Sequence, residues 1–422
     1  MEAKRKLRGK WLLALGVVMM AAALCMLRAQ PSVLQYCVVA PQEAASAPQK
    51  ETQTEAGTET QPQTEPEQSA LATLVAAWDA RAEEELGEVL ESASIAARDY
   101  GFAFSGEGGS ATATLTAVGE DWFGVYPRYL VAGRLPTADE LQTGARVIAL
   151  DEPLAFKLFP TVDPVGRSLE IGAKRYRVVG VTRYARGVGQ YEQYQAYIPI
   201  AAAAKDGLQM EIVELCARPL PRSGASRAFE AAGRTWRAGG TFIDTDKEAM
   251  RAGMIARVLA VVLGLYGVLY LLRRLNRRAA AFGANARARL KTEYLRDMLP
   301  SLLPRAGVLA VGYALIVAAA FGVLALAVEP MYVFTEWIPD VLVELSSITD
   351  RFWQLTSAAA SPVFIRTEEY AEIRFWAGVL RWGAVSALVG CAVMAFSARG
   401  GKKRGAAIDA PAAAAKGGKK AE

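Results

Sequence analysis

The sequence predicts an integral membrane protein with four transmembrane helices and a large α+β extracytoplasmic domain between helices one and two. Three observations predict it. Four stretches, 11–27, 254–272, 306–328 and 375–396, are apolar over close to the ~20 residues that cross a bilayer as a helix, the first being the shortest. Basic residues crowd one side of these stretches: Lys4, Arg5, Lys6, Arg8 and Lys10 before the first, Arg273, Arg274, Arg277, Arg278, Arg287, Arg289 and Lys291 after the second, and Arg399, Lys402, Lys403 and Arg404 after the last. Residues 69–250 mix short strand and helix patterns and carry no apolar run long enough to span. Since positive flanks stay in the cytoplasm, one topology satisfies every flank. Residues 1–10, 273–305 and 397–422 are then cytoplasmic, while 28–253 and the acidic loop 329–374 face outward.

The first span reads as an uncleaved anchor. A signal peptide shares its basic start and apolar middle, but Leu27-Arg28-Ala29-Gln30 lacks a small-x-small cleavage site, and Leu24 precedes Cys25 where a lipoprotein signal needs a small residue. Residues 41–68 are rich in Gln, Thr, Glu and Pro, and they carry no aromatic or branched apolar side chain. Such a segment buries too little surface to offset its chain entropy, so a disordered acidic linker is expected; a site that captures cations or a partner is the alternative.

Residues 69–92 predict an amphipathic helix on the recurrence of Leu71, Leu74, Val75, Trp78, Leu86 and Leu90. Residues 102–104 and 111–118 predict paired strands across Ser105-Gly106-Glu107-Gly108-Gly109-Ser110. Residues 146–150 predict a strand, after which Asp151 is placed to cap a short helix with Pro153 in its first turn and Pro160 beyond its end. Residues 168–171 and 176–181 alternate across Gly172-Ala173-Lys174, a hairpin pattern. Further strands are expected at 195–200, 212–217 and 241–244, with helical segments at 201–206 and 226–238. Tyr184, Tyr191, Tyr194 and Tyr197 read either as hairpin packing or as a binding face.

Composition excludes several chemistries. The chain has 422 residues, 52% hydrophobic, and a net charge of +5 whose basic residues sit beside the spans, so no nucleic-acid footprint is expected. Histidine is absent from the sequence, which removes the commonest general base and metal ligand. The four cysteines form no CxxC, so no metal site and no cofactor are expected. Cys37 and Cys216 both fall outside the spans, where a disulfide is permitted and two free thiols are the expected state. The sequence contains no GxxxxGK[ST], and no catalytic constellation can be assembled.

Residues 119–200 resemble the extracytoplasmic core domain of MacB-type ABC transporter permeases. The carrying phrases are AGRLPTADEL (132–141), VIALDEPLAFKLFPTVDPVGRSLEIG (147–172), YRVVGVT (176–182) and AYIPIAAA (196–203). They supply in order the family's glycine-arginine turn (Gly133, Arg134), its strand and short helix, its Asp-Pro-x-Gly turn (Asp163, Pro164, Gly166), its hairpin with Gly180 and its Ile-Pro strand. These positions read as structural: the glycines permit tight turns or close approach, and Pro164 presets a turn that Asp163 can bond.

The layout of one span, a large outer domain and three more spans is similar to the same family and its FtsX-like relatives. There, the cytoplasmic segment after the second span holds a helix that rests on a separate ATPase. Ala280-Ala281-Phe282-Gly283-Ala284 stands where the family has an Ala-Leu-Gly-Ala-like phrase, so Ala281, Phe282, Gly283 and Ala284 are the expected coupling residues. Arg277 and Arg278 replace the acidic residue usual just before it, and a basic helix that binds only lipid headgroups is the alternative. The outer loop is longer than the family's short turn, and 337–355 reads as an interfacial amphipathic helix.

The resemblance implies a permease-like subunit that is not itself an enzyme. Its implied partners are a separate ABC ATPase, a second permease subunit in a homo- or heterodimer, and the bilayer. A non-transporting FtsX-like scaffold or sensor that regulates an outer partner is the second reading.

Overall fold

The computed structural model describes residues 2–40, 70–160, 163–172, 174–183, 187–188, 194–221, 224–289, 291, 295–333 and 365–417, with 350, 353 and 357. Residues 41–69 and most of 334–364 lie outside this set, and with them the expected linker, the expected interfacial helix, Tyr184 and Tyr191. The described chain falls into two compact units.

One unit gathers residues 30–248 and 362–373 around a ten-stranded sheet of order β10-β1-β9-β2-β3-β8-β5-β7-β4. In chain order its strands are β1 (Leu34–Val39), β2 (Leu90–Gly106), β3 (Gly109–Val118), β4 (Leu130–Gly133), β5 (Val147–Asp151), β6 (Ser168–Ile171), β7 (Lys174–Thr182), β8 (Tyr194–Pro199), β9 (Ile212–Pro219) and β10 (Thr241–Asp244). β6 lies off the main path and pairs with β2 and β7. Most neighbours are antiparallel, while β3·β8 and β5·β7 are parallel.

The apolar face of the sheet packs under α2 (Ala70–Glu85), α5 (Glu152–Leu158), α6 (Ile200–Lys205) and α7 (Ala225–Trp236). Trp78, Phe104, Leu115, Ile148, Leu154, Tyr176 and Phe229 are fully buried there. Trp78 and Phe229 meet edge to face at 6.2 Å, which fixes α2 against α7 beyond simple area burial. On the opposite face lie α3 (Trp122–Val125) and α4 (Ala138–Thr143), with a second cluster around Trp122, Tyr126, Leu141 and Tyr197.

The local expectations fare unevenly. Asp151 caps α5, its Oδ1 accepting from Leu154 N at 2.9 Å, and β6 and β7 pair from Ile171 and Lys174 outward as the hairpin pattern predicts. The helix expected over 69–92 stops at Glu85. Gly87 interrupts it, and Leu90, expected on its apolar stripe, instead begins β2 opposite Pro219. The strand expected at 111–118 is β3, while the one expected at 102–104 is the end of the much longer β2, and the two are joined by Glu107-Gly108.

The other unit contains residues 1–29, 249–361 and 374–422. Its helices are α1 (Glu2–Arg28), α8 (Thr245–Arg289), α9 (Leu295–Val333) and α10 (Glu368–Gly417), and all four are long and apolar enough to cross a membrane. α1 and α10 approach through small residues. A Cβ on Gly16 would fall 2.5 Å from the Gly383 carbonyl oxygen, and one on Gly390 would fall 2.6 Å from Leu13 N. Ser386 Oγ donates to the Leu12 carbonyl at 3.0 Å in the same seam. Between α8 and α9, Tyr313 donates to Asn276 Oδ1 at 2.6 Å and Arg257 lies 3.2 Å from Glu329. α10 continues to Gly417.

Candidate functional site

The sheet face opposite the apolar core is unusual in being polar and buried. Because side chains alternate along a strand, the registers place Gln35 and Cys37 of β1 beside Cys216 and Glu214 of β9. Ser94 and Arg98 of β2 lie on the same face, followed by Thr116 of β3 and Tyr197 of β8. All of these are buried. Burying them costs free energy unless each finds a partner, so the hydrogen-bond pattern is what makes the face tenable.

Arg98 Nη2 lies 3.0 Å from Glu214 Oε2, and Tyr126 donates to the other Glu214 oxygen at 3.1 Å. Gln35 Nε2 donates to Tyr126 Oη at 2.6 Å and to Glu369 Oε2 at 2.8 Å, while its Oε1 accepts from Thr367 Oγ1 at 2.7 Å. Gln195 Nε2 donates to Glu368 at 3.0 Å and its Oε1 accepts from Tyr197. Gln30 Nε2 donates to Glu372 at 2.9 Å. A polar seam therefore runs from the buried pair Arg98–Glu214 to Thr367, Glu368, Glu369 and Glu372 at the start of α10.

Electrostatics follow from this burial. Loss of water pushes the Glu214 carboxyl up to about 7, opposed by Arg98 and assisted by Glu369. Arg98 is held well above its usual range: burial works against its charge, but the Glu214 carboxylate outweighs it. Burial likewise raises the Cys37 and Cys216 thiols well above normal, so neither is a nucleophile. Both thiols are free, on neighbouring strands. Arg128 stacks over the rings of Trp122 and Tyr197, 5.5 and 5.8 Å from their centroids, and closes the seam from the α3 side. Tyr197 is buried here and is no part of an exposed aromatic face. Among the described residues, no cluster of His, Cys, Asp or Glu is arranged to hold a metal.

The residues singled out in the sequence lie elsewhere. Gly133 and Gly180 stand opposite each other on β4 and β7. A Cβ on Gly133 would lie 2.3 Å from the Val179 oxygen, and one on Gly180 would lie 2.1 Å from the Arg134 oxygen. Arg134 forms a two-pronged pair with Glu140, 2.6 Å on each side, and Glu140 also closes the capping box of α4 with Thr137. Those bonds hold the Glu140 carboxyl down to about 2. Asp163 Oδ1 accepts from Val165 N at 3.0 Å, Pro164 precedes the turn, and Gly166 has φ +87. Ala281, Phe282, Gly283 and Ala284 lie on α8, in the same uninterrupted helix as the second span. Ala281 and Ala284 are exposed, Phe282 is half-buried, and open space surrounds Gly283. The structure thus sets Gly133 against Gly180 and leaves the α8 group as a surface, while the polar seam has no counterpart among the residues singled out in the sequence.

Four membrane-length helices with a large α+β domain after the first define a multi-pass membrane protein of the inserted-domain type. Residues 35–232, just under half of the chain, match the family profile of the MacB-like periplasmic core domain. A 70-residue stretch is 33% identical to the macrolide export ATP-binding/permease protein MacB of Aggregatibacter actinomycetemcomitans, covering 17% of this chain and 11% of that protein. The fold is distantly similar to the periplasmic region of MacB from Actinobacillus actinomycetemcomitans, with 15% identity, a TM-score of 0.35, and 51% of this chain and 89% of that chain covered. It is also similar to the extracellular domain of the noncanonic ABC-type transporter YknZ from Gram-positive bacteria, with 15% identity, a TM-score of 0.34, and coverage of 40% and 88%.

Proposed function

We propose that this chain is the permease-like membrane subunit of a MacB-type ABC complex, relaying the ATP-driven motion of a separate ATPase to the α+β domain. The observation that carries this reading is the polar seam. Thr367, Glu368 and Glu369 belong to the start of α10, and they are hydrogen-bonded to Gln35 and Gln195 of the sheet. A displacement of the last span therefore has a bonded route into the domain through its own first turn. Ala281–Ala284, placed on α8 beyond the second apolar stretch, supply the surface for the ATPase, and the absence of GxxxxGK[ST] from the sequence assigns hydrolysis to that partner. Two permease subunits would act together. Both termini and residues 273–305 are cytoplasmic in this reading, with residues 70–250 outside.

A second reading, an FtsX-like scaffold or sensor that regulates an outer partner, is favoured by Arg277 and Arg278 where the family carries an acidic residue. Affinity capture of the full chain from its native membranes separates the two. Recovery of an ABC ATPase in stoichiometric amount supports the permease subunit, and recovery of an outer cell-wall enzyme or adaptor without one overturns it. Single-cysteine labelling tests the orientation: an impermeant reagent should reach a cysteine at Ser110 in intact cells and not one at Ser397.

A further inference from the structure

The apolar stretch of α10 contains one charged side chain, Arg381, seven residues beyond Arg374. One face of this part of the helix is buried, through Ile373, Ala377, Leu380 and Ala384. Arg381 lies at the edge of this face and is exposed, as are Arg374, Phe375 and Trp382. At 1.5 Å per residue, Arg381 lies about 10 Å along the span from Arg374, well inside an apolar segment. A guanidinium there is costly unless it reaches an interface or meets an anion. Among the described residues, no carboxylate pairs with it.

Two features direct that guanidinium. Helical side chains lean toward the helix N-terminus, so Arg381 is inclined up the span toward Arg374. At 100° per residue, positions 374, 378 and 381 share one stripe, and the residue between the arginines is Gly378. A Cβ built on Gly378 would meet nothing within 4 Å, so the stripe has a notch beside Arg381. Phe375 and Trp382, 41% and 70% exposed, flank it one position round the helix, and such aromatic rings favour the headgroup boundary.

We propose that Arg381 and Gly378, framed by Phe375 and Trp382, bind the phosphate of an anionic phospholipid in the leaflet at the N-terminal end of α10. The guanidinium offers paired donors to phosphate oxygens, the notch admits the headgroup, and the rings pack on the glycerol and upper acyl chain.

The test uses the full-length protein in nanodiscs of equimolar phosphatidylglycerol and phosphatidylcholine, with retained lipids counted by native mass spectrometry after extraction. Wild type should retain phosphatidylglycerol in excess. Arg381→Gln should lower that excess about fivefold, the effect of one arginine beside an anionic surface. Gly378→Leu should lower it comparably with no change of charge. Replacing Arg273, Arg274, Arg277 and Arg278 by Gln should leave the Arg381-dependent part intact. Inorganic phosphate should not displace the lipid; displacement would show a site for free phosphate and overturn the lipid assignment. Equal retention of the two lipids by wild type, or unchanged retention in both Arg381→Gln and Gly378→Leu, would overturn the proposal. So would a change of oligomeric mass in Arg381→Gln without a change in lipid count, since a protein partner would then cover this face.

Discussion

Arg98 and Glu214 meet in the buried polar face of the α+β domain, Nη2 to Oε2 at 3.0 Å, with side chains only 6% and 1% exposed. Buried pairs of this kind stabilise little in net terms, because both ions lose their water; the more definite consequence is a dependence on pH. The Glu214 carboxyl is raised from its ordinary 4.5 to about 7, so the folded chain keeps a proton that the unfolded chain releases. Its contribution to stability is full below about 4.5 and is lost as pH rises through 7.

The expected outcome is that wild type loses up to about 3 kcal/mol between pH 5 and pH 8 that Glu214→Gln does not lose, since glutamine mimics the protonated carboxyl at every pH. Denaturation of the two full-length proteins in detergent at both pH values reads this difference directly. Parallel pH profiles would show that Glu214 does not titrate in this range.

Two glycines of the family phrases matter for different physical reasons. Gly180 has ordinary backbone torsions but no room: its Cβ would press within 2.1 Å of the Arg134 oxygen, so Gly180→Ala must part β4 from β7. A loss of about 2–3 kcal/mol is expected from such overpacking. Gly166 has open space but φ +87, and Gly166→Ala should cost about 1–2 kcal/mol from backbone strain alone. Thermal denaturation ranks the two, and a larger effect at Gly166 would contradict the steric argument.

Asp151 bonds twice, to Leu154 N as the cap of α5 and to Gln195 N of β8 at 2.8 Å. Asp151→Ala should destabilise by about 2 kcal/mol or more, and Asp151→Asn, which keeps one acceptor, by less. Burial raises this carboxyl to about 6, so the gap between the Asp and Asn forms should narrow as pH rises through that value. A gap that widens would place the charged form in a more favourable setting than these bonds provide.

What the sequence disclosed follows from the range of the interactions involved. The Asp151 cap and the turn at Gly172 are decided within a few residues, and both were legible. β1 was not anticipated. It is buried on both faces through Val38, so it shows no alternation, and its partners β9 and β10 lie some 170 residues or more away. The end of α2 misled because Leu86 and Leu90 continue the helical spacing, whereas Gly87 and the pairing of Leu90 with β9 decide the boundary. The polar seam joins Gln35, Arg98, Glu214 and Glu369, which share no local motif. Its one sequence trace is a charged residue, Glu214, inside the apolar strand Ile-Val-Glu-Leu-Cys. The expected coupling group was legible only through the family phrase around Phe282, since nothing in its own helix distinguishes it from a membrane flank.

The measurement that bears most directly on the relay is quantitative capture of a separate ATPase by wild type and Phe282→Asp from the same native membranes. If α8 presents Phe282 to that ATPase, truncating and charging an aromatic anchor should weaken recruitment by about 2–4 kcal/mol, a loss of thirtyfold or more, while membrane insertion and the α+β domain stay intact because the basic flanks remain. The account predicts abundant ATPase with wild type and almost none with Phe282→Asp. Equal ATPase in both captures, or none in either, would contradict it.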